Sequence, residues 1–355
     1  MTWTESEESH PEVPAVLPAN PNTLGAGMVI AVMLSLVGGQ AVGDPYVTYA
    51  GGDGPGKGQH IVLLAGDDEY RSEELMPQLA KILAVHHGFR CTVLFALNTQ
   101  TGEIDPPTRD NMPGLELLDT ADLMVVFLRF RELPDEQMKQ LIDYSNSGKP
   151  IIGLRTATHS FNYTDHPESP YARWSWRATG ETQGGWGRQV LGETWIAHYG
   201  QHQRESTRGV IAEGMADHPI VRGCDDIWGP SDVYALTTLL GDCTPLVMGQ
   251  VLTGMNPTDP PNPDKPPVPI AWTKAYTGTQ GKAARVFATT MGHAGDLQSE
   301  GFRRLLVNAC YWALGMDDQI PPKSTVDFVG EYRPNNIGFG GHKQGLKPED
   351  HRLAP

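Results

Sequence analysis

The sequence predicts an α/β protein whose sheet is mostly parallel and doubly wound, with helices on both faces. Two observations support this fold class. Short apolar runs, typical of buried strands, alternate with amphipathic segments of helical period. Each crossover between the first strands is long enough to hold a helix, which is the connection that parallel strands require.

The first half of the domain supplies four strands and two helices. Gly88 follows the first helix and Gly148 the second, and glycine commonly ends helices. Pro134 suits the first turn of the second helix. The predicted strands are 60–65, 92–96, 123–128 and 150–154, and the first helix covers 73–87.

The second half repeats this pattern after a long interruption. Strands are predicted at 246–252, 269–273 and 285–290, and an amphipathic helix at 299–315. Residues 160–245 lack periodicity and are rich in Trp, Gly, His and Arg, so we expect an insert that carries function. The chain thus divides into a leader (1–44), an α/β domain (45–318) and a Pro/Gly-rich tail packed on that domain (319–355).

The amino terminus resembles an export signal in part. Residues 1–27 are polar and acidic, and ten apolar or small residues follow at 28–37. Ten residues are too few to cross a bilayer but suit the core of a signal peptide, and a buried strand is the alternative. We therefore expect no stable membrane insertion, and a secreted or periplasmic location is favoured over a cytoplasmic one.

Composition excludes several function classes. The chain has 355 residues, with 27 Lys and Arg against 42 Asp and Glu, and this net charge of −15 disfavours a nucleic-acid partner. It has no Gly-x-Gly-x-x-Gly after the first strand and no phosphate-binding loop motif, so no nucleotide cofactor is expected. The four cysteines are scattered, and only Cys224 and Cys243 flank one loop and could pair in an exported protein.

Binding sites in open parallel sheets form at the carboxyl ends of strands. Glu69, Tyr70 and Arg71 directly follow the first strand and are candidates for a polar substrate pocket. The alternative is that the acidic and Ser residues of 67–72 only cap the next helix.

The fourth strand leads into Gly153–His159, a sharp turn of the kind that presents a nucleophile. Its central residue is Arg155, which stays protonated and cannot attack a carbonyl, but can orient or polarise a substrate oxygen. Thr156 could add a hydrogen bond. His159 is either a general base or a buried structural histidine.

Further candidates lie in and after the insert. His198 and His202 have the i, i+4 spacing that places two imidazoles on one helical face, as in zinc sites, although Gly200 weakens a helix and a strand or loop would separate the rings. A divalent metal is therefore an alternative to two substrate-facing histidines. The remaining substrate-binding candidates are Glu205, Asp232, Tyr234, His293 and Asp296, of which Glu205 or Asp232 could be a third metal ligand and Asp296 could cap the last helix.

Taken together, these segments resemble the ThuA-like (trehalose-utilisation) family, which has the class I glutamine amidotransferase-like, flavodoxin-like fold. The likeness spans about residues 45–350, and the segments 54–58 and 328–348 are similar to the subgroup common in planctomycete-type bacteria. Amidotransferases of this fold use Cys at the position of Arg155, so the resemblance implies that this chain is not a glutaminase. The other segments that carry the resemblance are 60–73, 153–161, 198–209, 218–220, 232–234, 269–273, 286–292 and 302–312.

The family resemblance implies a role with sugars or 3-keto-sugars, and three functions stay open. The first is an enzyme that hydrolyses such a molecule or transfers a proton next to its carbonyl, with Arg155 polarising the substrate and His159, His198 or His202 moving the proton. The second is a non-catalytic carbohydrate-binding protein, and the third is a metal-dependent hydrolase that uses His198 and His202. A small sugar is the expected partner, and assembly into a homo-oligomer stays open.

Overall fold

A mixed ten-stranded sheet forms the centre of residues 43–353, the part of the chain that the computed structural model describes. Three α-helices, several short 3₁₀ turns, a π-helical turn at Gly187–Leu191 and a two-stranded ribbon complete this part. The helices are α1 (Ser72–His87), α2 (Asp135–Asn146) and α3 (Glu300–Ala313). The strands are β1 (Tyr46–Tyr49), β2 (His60–Gly66), β3 (Arg90–Phe95), β4 (Leu123–Leu128), β5 (Ile151–Leu154), β6 (Ala197–His198), β7 (Thr207–Ile211), β8 (Ile227–Gly229), β9 (Tyr234–Ala235), β10 (Thr244–Val251), β11 (Val268–Thr277) and β12 (Ala283–Thr289).

Only the middle of the sheet is parallel. The strand order is β1-β3-β2-β4-β5-β12-β11-β10-β7-β8, and the run from β3 to β12 is parallel. β1 is antiparallel at one edge, and β11, β10, β7 and β8 are antiparallel at the other. The α/β prediction is confirmed, and the predicted parallel sheet is confirmed in its centre, whereas both edges are antiparallel. Short links such as residues 278–282 between β11 and β12 leave no room for a crossover helix.

Both faces of the sheet are covered, so the central strands are apolar throughout. Ile61 and Leu63 of β2 pack into the core that includes α1 and α3, whereas Val62 and Leu64 pack into the core that includes α2. Alternate side chains of a strand point to opposite faces, which explains why β2 has no polar alternation.

The second half of the insert predicted at 160–245 is part of the sheet. β7 pairs with β10 and β8 pairs with β7, so this segment adds two strands to the antiparallel edge. β6 and β9 form a separate two-stranded ribbon. The sequence missed β7 and β8 because both are short, and neither has a clear apolar period.

The tail residues 319–353 hydrogen-bond to the helices and loops of the domain. Tyr332 Oη donates to the Ala294 carbonyl at 2.8 Å, and Arg303 Nε donates to the Val326 carbonyl at 2.7 Å. All four cysteines are free, so Cys224 and Cys243 are not paired.

The sequence predicted a signal-peptide core and no stable membrane insertion. The predicted signal core at 28–37 lies outside the described residues. Within residues 43–353, each helix is too short or too polar to cross a membrane.

Candidate functional site

A cavity of about 250 Å³ opens where β2, β4 and β5 end, at the edge that the parallel strands predict. Aromatic rings form most of its wall, and a few charged or polar groups interrupt them. The lining residues are Glu69, Tyr70, Arg129, Phe130, His159, Trp195, His198, Tyr234 and Phe339.

Backbone strain concentrates around this cavity. Arg71, Phe130 and Arg155 follow β2, β4 and β5 and have φ values of 63°, 49° and 46°, in the left-handed region that non-glycine residues rarely adopt. Gln203, beside His202, has φ of 58°. A non-glycine residue in this conformation carries about 1–3 kcal/mol of backbone strain. Such residues cluster at functional sites, where the surrounding structure holds the backbone in place.

Arg155 is completely buried and lies behind the cavity wall. Its Nη1 donates to the carbonyls of Asp232 and Thr290 at 2.6 and 2.8 Å, and its Nη2 lies 2.9 Å from Asp232 Oδ1. The guanidinium carbon lies 3.7 Å from the ring centroid of Tyr234 and 4.4 Å from that of Tyr70. With these groups around it, the guanidinium binds protein atoms instead of reaching the cavity.

Asp232 joins Arg155 to the two histidines. His198 Nδ1 lies 2.7 Å from Asp232 Oδ2, and His202 Nδ1 lies 2.9 Å from Asp232 Oδ1. Burial would raise the pKa of this carboxyl, but Arg155 and the two histidines outweigh burial and hold the pKa well below its usual range. Asp232 is therefore a permanent buried anion.

His202 lies between two carboxylates. Its Nδ1 faces Asp232, and its Nε2 lies 3.4 Å from Glu69 Oε1. The hydrogen bonds to Asp232 and then to Glu69 raise the pKa of His202 to about 9, so it is an imidazolium at neutral pH.

The two histidines do not share a helix, because β6 ends at His198 and a turn follows. The expectation that a strand or loop would separate the rings is nevertheless wrong. Their centroids lie 4.7 Å apart, since both side chains converge on Asp232.

His159 is a buried, neutral imidazole in the cavity floor. Burial first, and then the nearby Arg129 and Arg155, lower its pKa well below the usual value. Its ring packs against Phe130 and Trp195, with centroids 5.0 and 5.5 Å away. Its Nδ1 is 3.1 Å from Thr158 Oγ1.

Two sequence candidates, Thr156 and Arg71, organise loops and do not line the cavity. Thr156 Oγ1 donates to Asp67 Oδ2 at 2.8 Å and ties the turn after β5 to the turn after β2. Arg71 donates to the carbonyls of Glu69 and Gly338 and so binds the tail. Asp67 itself accepts from the backbone N–H groups of Glu69 and Tyr70, and no side chain among residues 43–353 caps the start of α1.

Three further candidates outside the cavity, Glu205, Asp296 and His293, are also held by protein groups. Glu205 accepts from Asn262 Nδ2 at 2.7 Å and pairs with Lys265. Asp296 is buried and accepts from Ser231, Gly292 and His293. His293 Nδ1 accepts from the Gly295 N–H, and the ring lines a separate cavity of about 360 Å³.

Four residues of the cavity wall were absent from the sequence candidates: Arg129, Phe130, Trp195 and Phe339. Arg129 and Phe130 directly follow a predicted strand, so the strand-end rule alone could have found them. Arg129 Nη1 lies 3.1 Å from Asp68 Oδ1, and its guanidinium carbon lies 4.9 Å from the Phe339 centroid. Phe339 comes from the tail, and no local sequence signal places it here.

The histidine pair and Asp232 also fit the donor set of a metal site. Their three candidate ligand atoms lie within 4.8 Å of one another, and two imidazoles with a carboxylate suit zinc and similar ions. Arg155 already neutralises Asp232, however, and a guanidinium at this distance opposes a second cation there.

Comparisons with known proteins gave a match to one family model and several similar solved structures. The family model ThuA, described as "Trehalose utilisation", matches residues 86–313. A putative ThuA-like protein from Parabacteroides merdae is 16% identical, with a TM-score of 0.43, 73% of this chain covered and 90% of that chain. A second, from Bacteroides uniformis, is 16% identical, with a TM-score of 0.44 and coverages of 76% and 96%. A search of curated proteins gave no match.

Proposed function

Because this chain belongs to the ThuA family, we propose that it acts on a sugar or keto-sugar and transfers a proton next to the substrate's carbonyl. The cavity that follows β2, β4 and β5 would hold the sugar, and His198 would move the proton. Arg155, at the position where amidotransferases of this fold have Cys, has a positioning role and rules out a glutaminase nucleophile.

The observation that carries this proposal is the orientation of His198. Its Nδ1 is bound to Asp232, it lines the cavity, and its side chain is about a third exposed. A carboxylate on Nδ1 fixes the ring and its tautomer, which leaves Nε2 as the nitrogen that can exchange a proton with a ligand. This is the geometry expected of a general base or acid.

Two cations can stabilise the negative charge that forms on the substrate when the proton is removed. When His198 Nε2 takes a proton from the carbon beside a ketone, the electron pair moves into an enolate. Arg129 lies in the cavity wall and can stabilise the enolate oxygen, and the His202 imidazolium is adjacent. Asp232 in turn stabilises the imidazolium that forms on His198.

The cavity wall suits a sugar ring. Tyr70, Phe130, Trp195 and Phe339 offer apolar faces, and Glu69 and Arg129 offer charged hydrogen-bonding groups. Ligand sites typically combine an apolar wall with a few polar groups that fix orientation. Trp176 reinforces the wall from behind, with its centroid 5.3 Å from Phe130.

The direct test is to incubate the full chain with 3-keto-glycosides and their parent sugars and to follow the products by mass spectrometry. We expect turnover of a keto-sugar, loss of at least a hundredfold in His198→Gln, and no change in His166→Gln, which alters an exposed histidine. Saturable binding without turnover would instead indicate a carbohydrate-binding protein. The proposal would be contradicted if the protein neither bound nor turned over any of these sugars.

A metal-dependent hydrolase is the second candidate, favoured by the proximity of His198, His202 and Asp232. A bound ion would act as a Lewis acid or generate hydroxide, and these three side chains would hold it. Elemental analysis of protein purified without chelator tests this candidate. About one equivalent of zinc or manganese, together with a Tm that falls on chelation in the wild type but not in His202→Gln, would favour it over the first.

A further inference from the structure

A third cavity, of about 140 Å³, lies between the first turns of α1 and the tail. Glu73 and Gln78 form its buried end, and exposed Arg333 and Lys343 lie at its mouth. Within the described part of the chain, no residue lines both this cavity and the one near His198. Liquid water takes up about 30 Å³ per molecule, so the volume exceeds that of a single water.

Four polar atoms of this cavity have no hydrogen-bond partner among residues 43–353. They are Glu73 Oε2, Glu74 Oε1, Gln78 Nε2 and His351 Nε2. The side chains of Glu73 and Gln78 are more than nine-tenths buried, with relative exposures of 6% and 4%. A buried group without a partner costs about 1–3 kcal/mol, so four in one cavity indicate a ligand that supplies the partners.

The unpartnered set contains both donors and acceptors. The Gln78 amide nitrogen donates, whereas carboxylate oxygens accept. Burial lowers the pKa of His351 to about 4, so its ring is neutral and Nε2 either donates or accepts. Burial also raises the pKa of Glu73 to about 8 despite the neighbouring Arg71, so Glu73 itself is largely neutral at pH 7.

The charges around the cavity nearly balance. With Glu73 neutral, two acidic residues remain against three basic ones: Glu74 and Glu331 against Lys81, Arg333 and Lys343. Arg333 and Lys343 are exposed, so solvent ions screen the surplus positive charge, and the wall selects neither a cation nor an anion strongly. Hydroxyl groups match it best, since each one both donates and accepts.

We propose that this cavity binds a small, uncharged polyhydroxylated molecule, held by the Gln78 amide, the carboxyl groups of Glu73 and Glu74, and His351. The site is independent of the proposed proton transfer. Its ligand would also fasten the tail to α1, where the Asn335 N–H already donates to Glu74 Oε2 at 2.8 Å.

Calorimetric titration of the full chain with glycerol, erythritol and myo-inositol tests this site, with ethanolamine and alanine as charged and zwitterionic comparisons. Gln78→Met removes the amide but keeps the length of the side chain, and it removes an unpartnered buried group, so the fold should be retained. Gln140→Met on α2 is the matched control. His351→Phe is a second variant, which keeps the stacking on Phe95.

We expect at least one polyol to bind with a Kd of about 1 mM or tighter and to raise the Tm of the wild type. Gln78→Met and His351→Phe should each weaken binding at least tenfold, and Gln140→Met should not. Absence of polyol binding, which would mean that water alone fills the cavity, would overturn the proposal. Equal binding by Gln78→Met, or a preference for ethanolamine or alanine, would overturn it as well.

Discussion

Asp232 is a buried carboxylate with three cationic or polar partners, and it determines the arrangement of the site. Arg155 balances its charge, while His198 and His202 take their orientation from it. A buried ion pair is not a large net source of stability, but removing one partner leaves the other charge without compensation. The site is therefore sensitive to this one side chain.

We expect Asp232→Asn to destabilise the protein by about 3–5 kcal/mol, because the buried Arg155 guanidinium loses its counter-charge. Urea denaturation measures this change. Asp143→Asn is the control: Asp143 pairs with Lys139 on the surface, and its loss should cost less than about 0.5 kcal/mol. A change of similar size in the two variants would contradict the assigned role of Asp232.

His293 makes stability depend on pH. Burial lowers its pKa from 6.5 to about 4, and the neighbouring Arg155 and Arg71 act in the same direction. Between these two values the unfolded chain binds more protons than the folded one. The stabilising contribution is thus complete above pH 6.5 and is lost as the pH falls through 4.

We therefore expect the wild type to lose about 3 kcal/mol more stability than His293→Asn between pH 7 and 4. Asn can still accept from the Gly295 N–H, so the turn should be kept. Urea denaturation at several pH values gives both curves. Parallel curves would show that His293 does not titrate in this range.

At the residue scale, the sequence predicted the components of the site better than their roles. Tyr70, His159, His198 and Tyr234 do lie at the cavity, since they belong to segments at the carboxyl ends of strands or beside them. Arg155 was expected to face the substrate, yet it lies behind the wall between two tyrosine rings. Which side of a turn a long side chain takes depends on tertiary neighbours that sequence spacing does not specify.

At the scale of elements, the tail completes the cavity wall. Phe339 is 63% exposed, although it lines the cavity and lies over Arg129. The tail is held close to this position by the Gly338 N–H, which donates to the Glu69 carbonyl at 2.9 Å. A large exposed aromatic ring beside a cavity suits ligand contact better than core packing.

Phe339→Ala should therefore raise KM about tenfold and leave the free energy of unfolding within about 0.5 kcal/mol of the wild type. Steady-state kinetics with the substrate found by the keto-sugar panel measures the first effect, and urea denaturation the second. Val210→Ala, at an exposed apolar position on β7, serves as the control for both. If KM stays unchanged in Phe339→Ala, the ring makes no contact with the substrate.

At the scale of the whole molecule, the parallel half of the sheet was predictable and the antiparallel half was less so. β2 to β5 are continuous apolar runs with helices or long links between them, and such a pattern permits few topologies. β10, β11 and β12 were predicted as strands. The short link between β11 and β12 makes this pair antiparallel, and the apolar pattern of the sequence does not indicate strand direction. β1 at the far edge was missed, since four residues carry too little periodicity.

The central claim is that His198 Nε2 exchanges a proton with the carbon beside a substrate carbonyl. Proton exchange of a 3-keto-glycoside in D₂O, followed by NMR, tests it most directly because it needs no later chemical step. We predict that the wild type and His166→Gln exchange that proton, while His198→Gln, folded to the same extent, slows the exchange at least a hundredfold. Equal exchange by His198→Gln and the wild type would contradict the account.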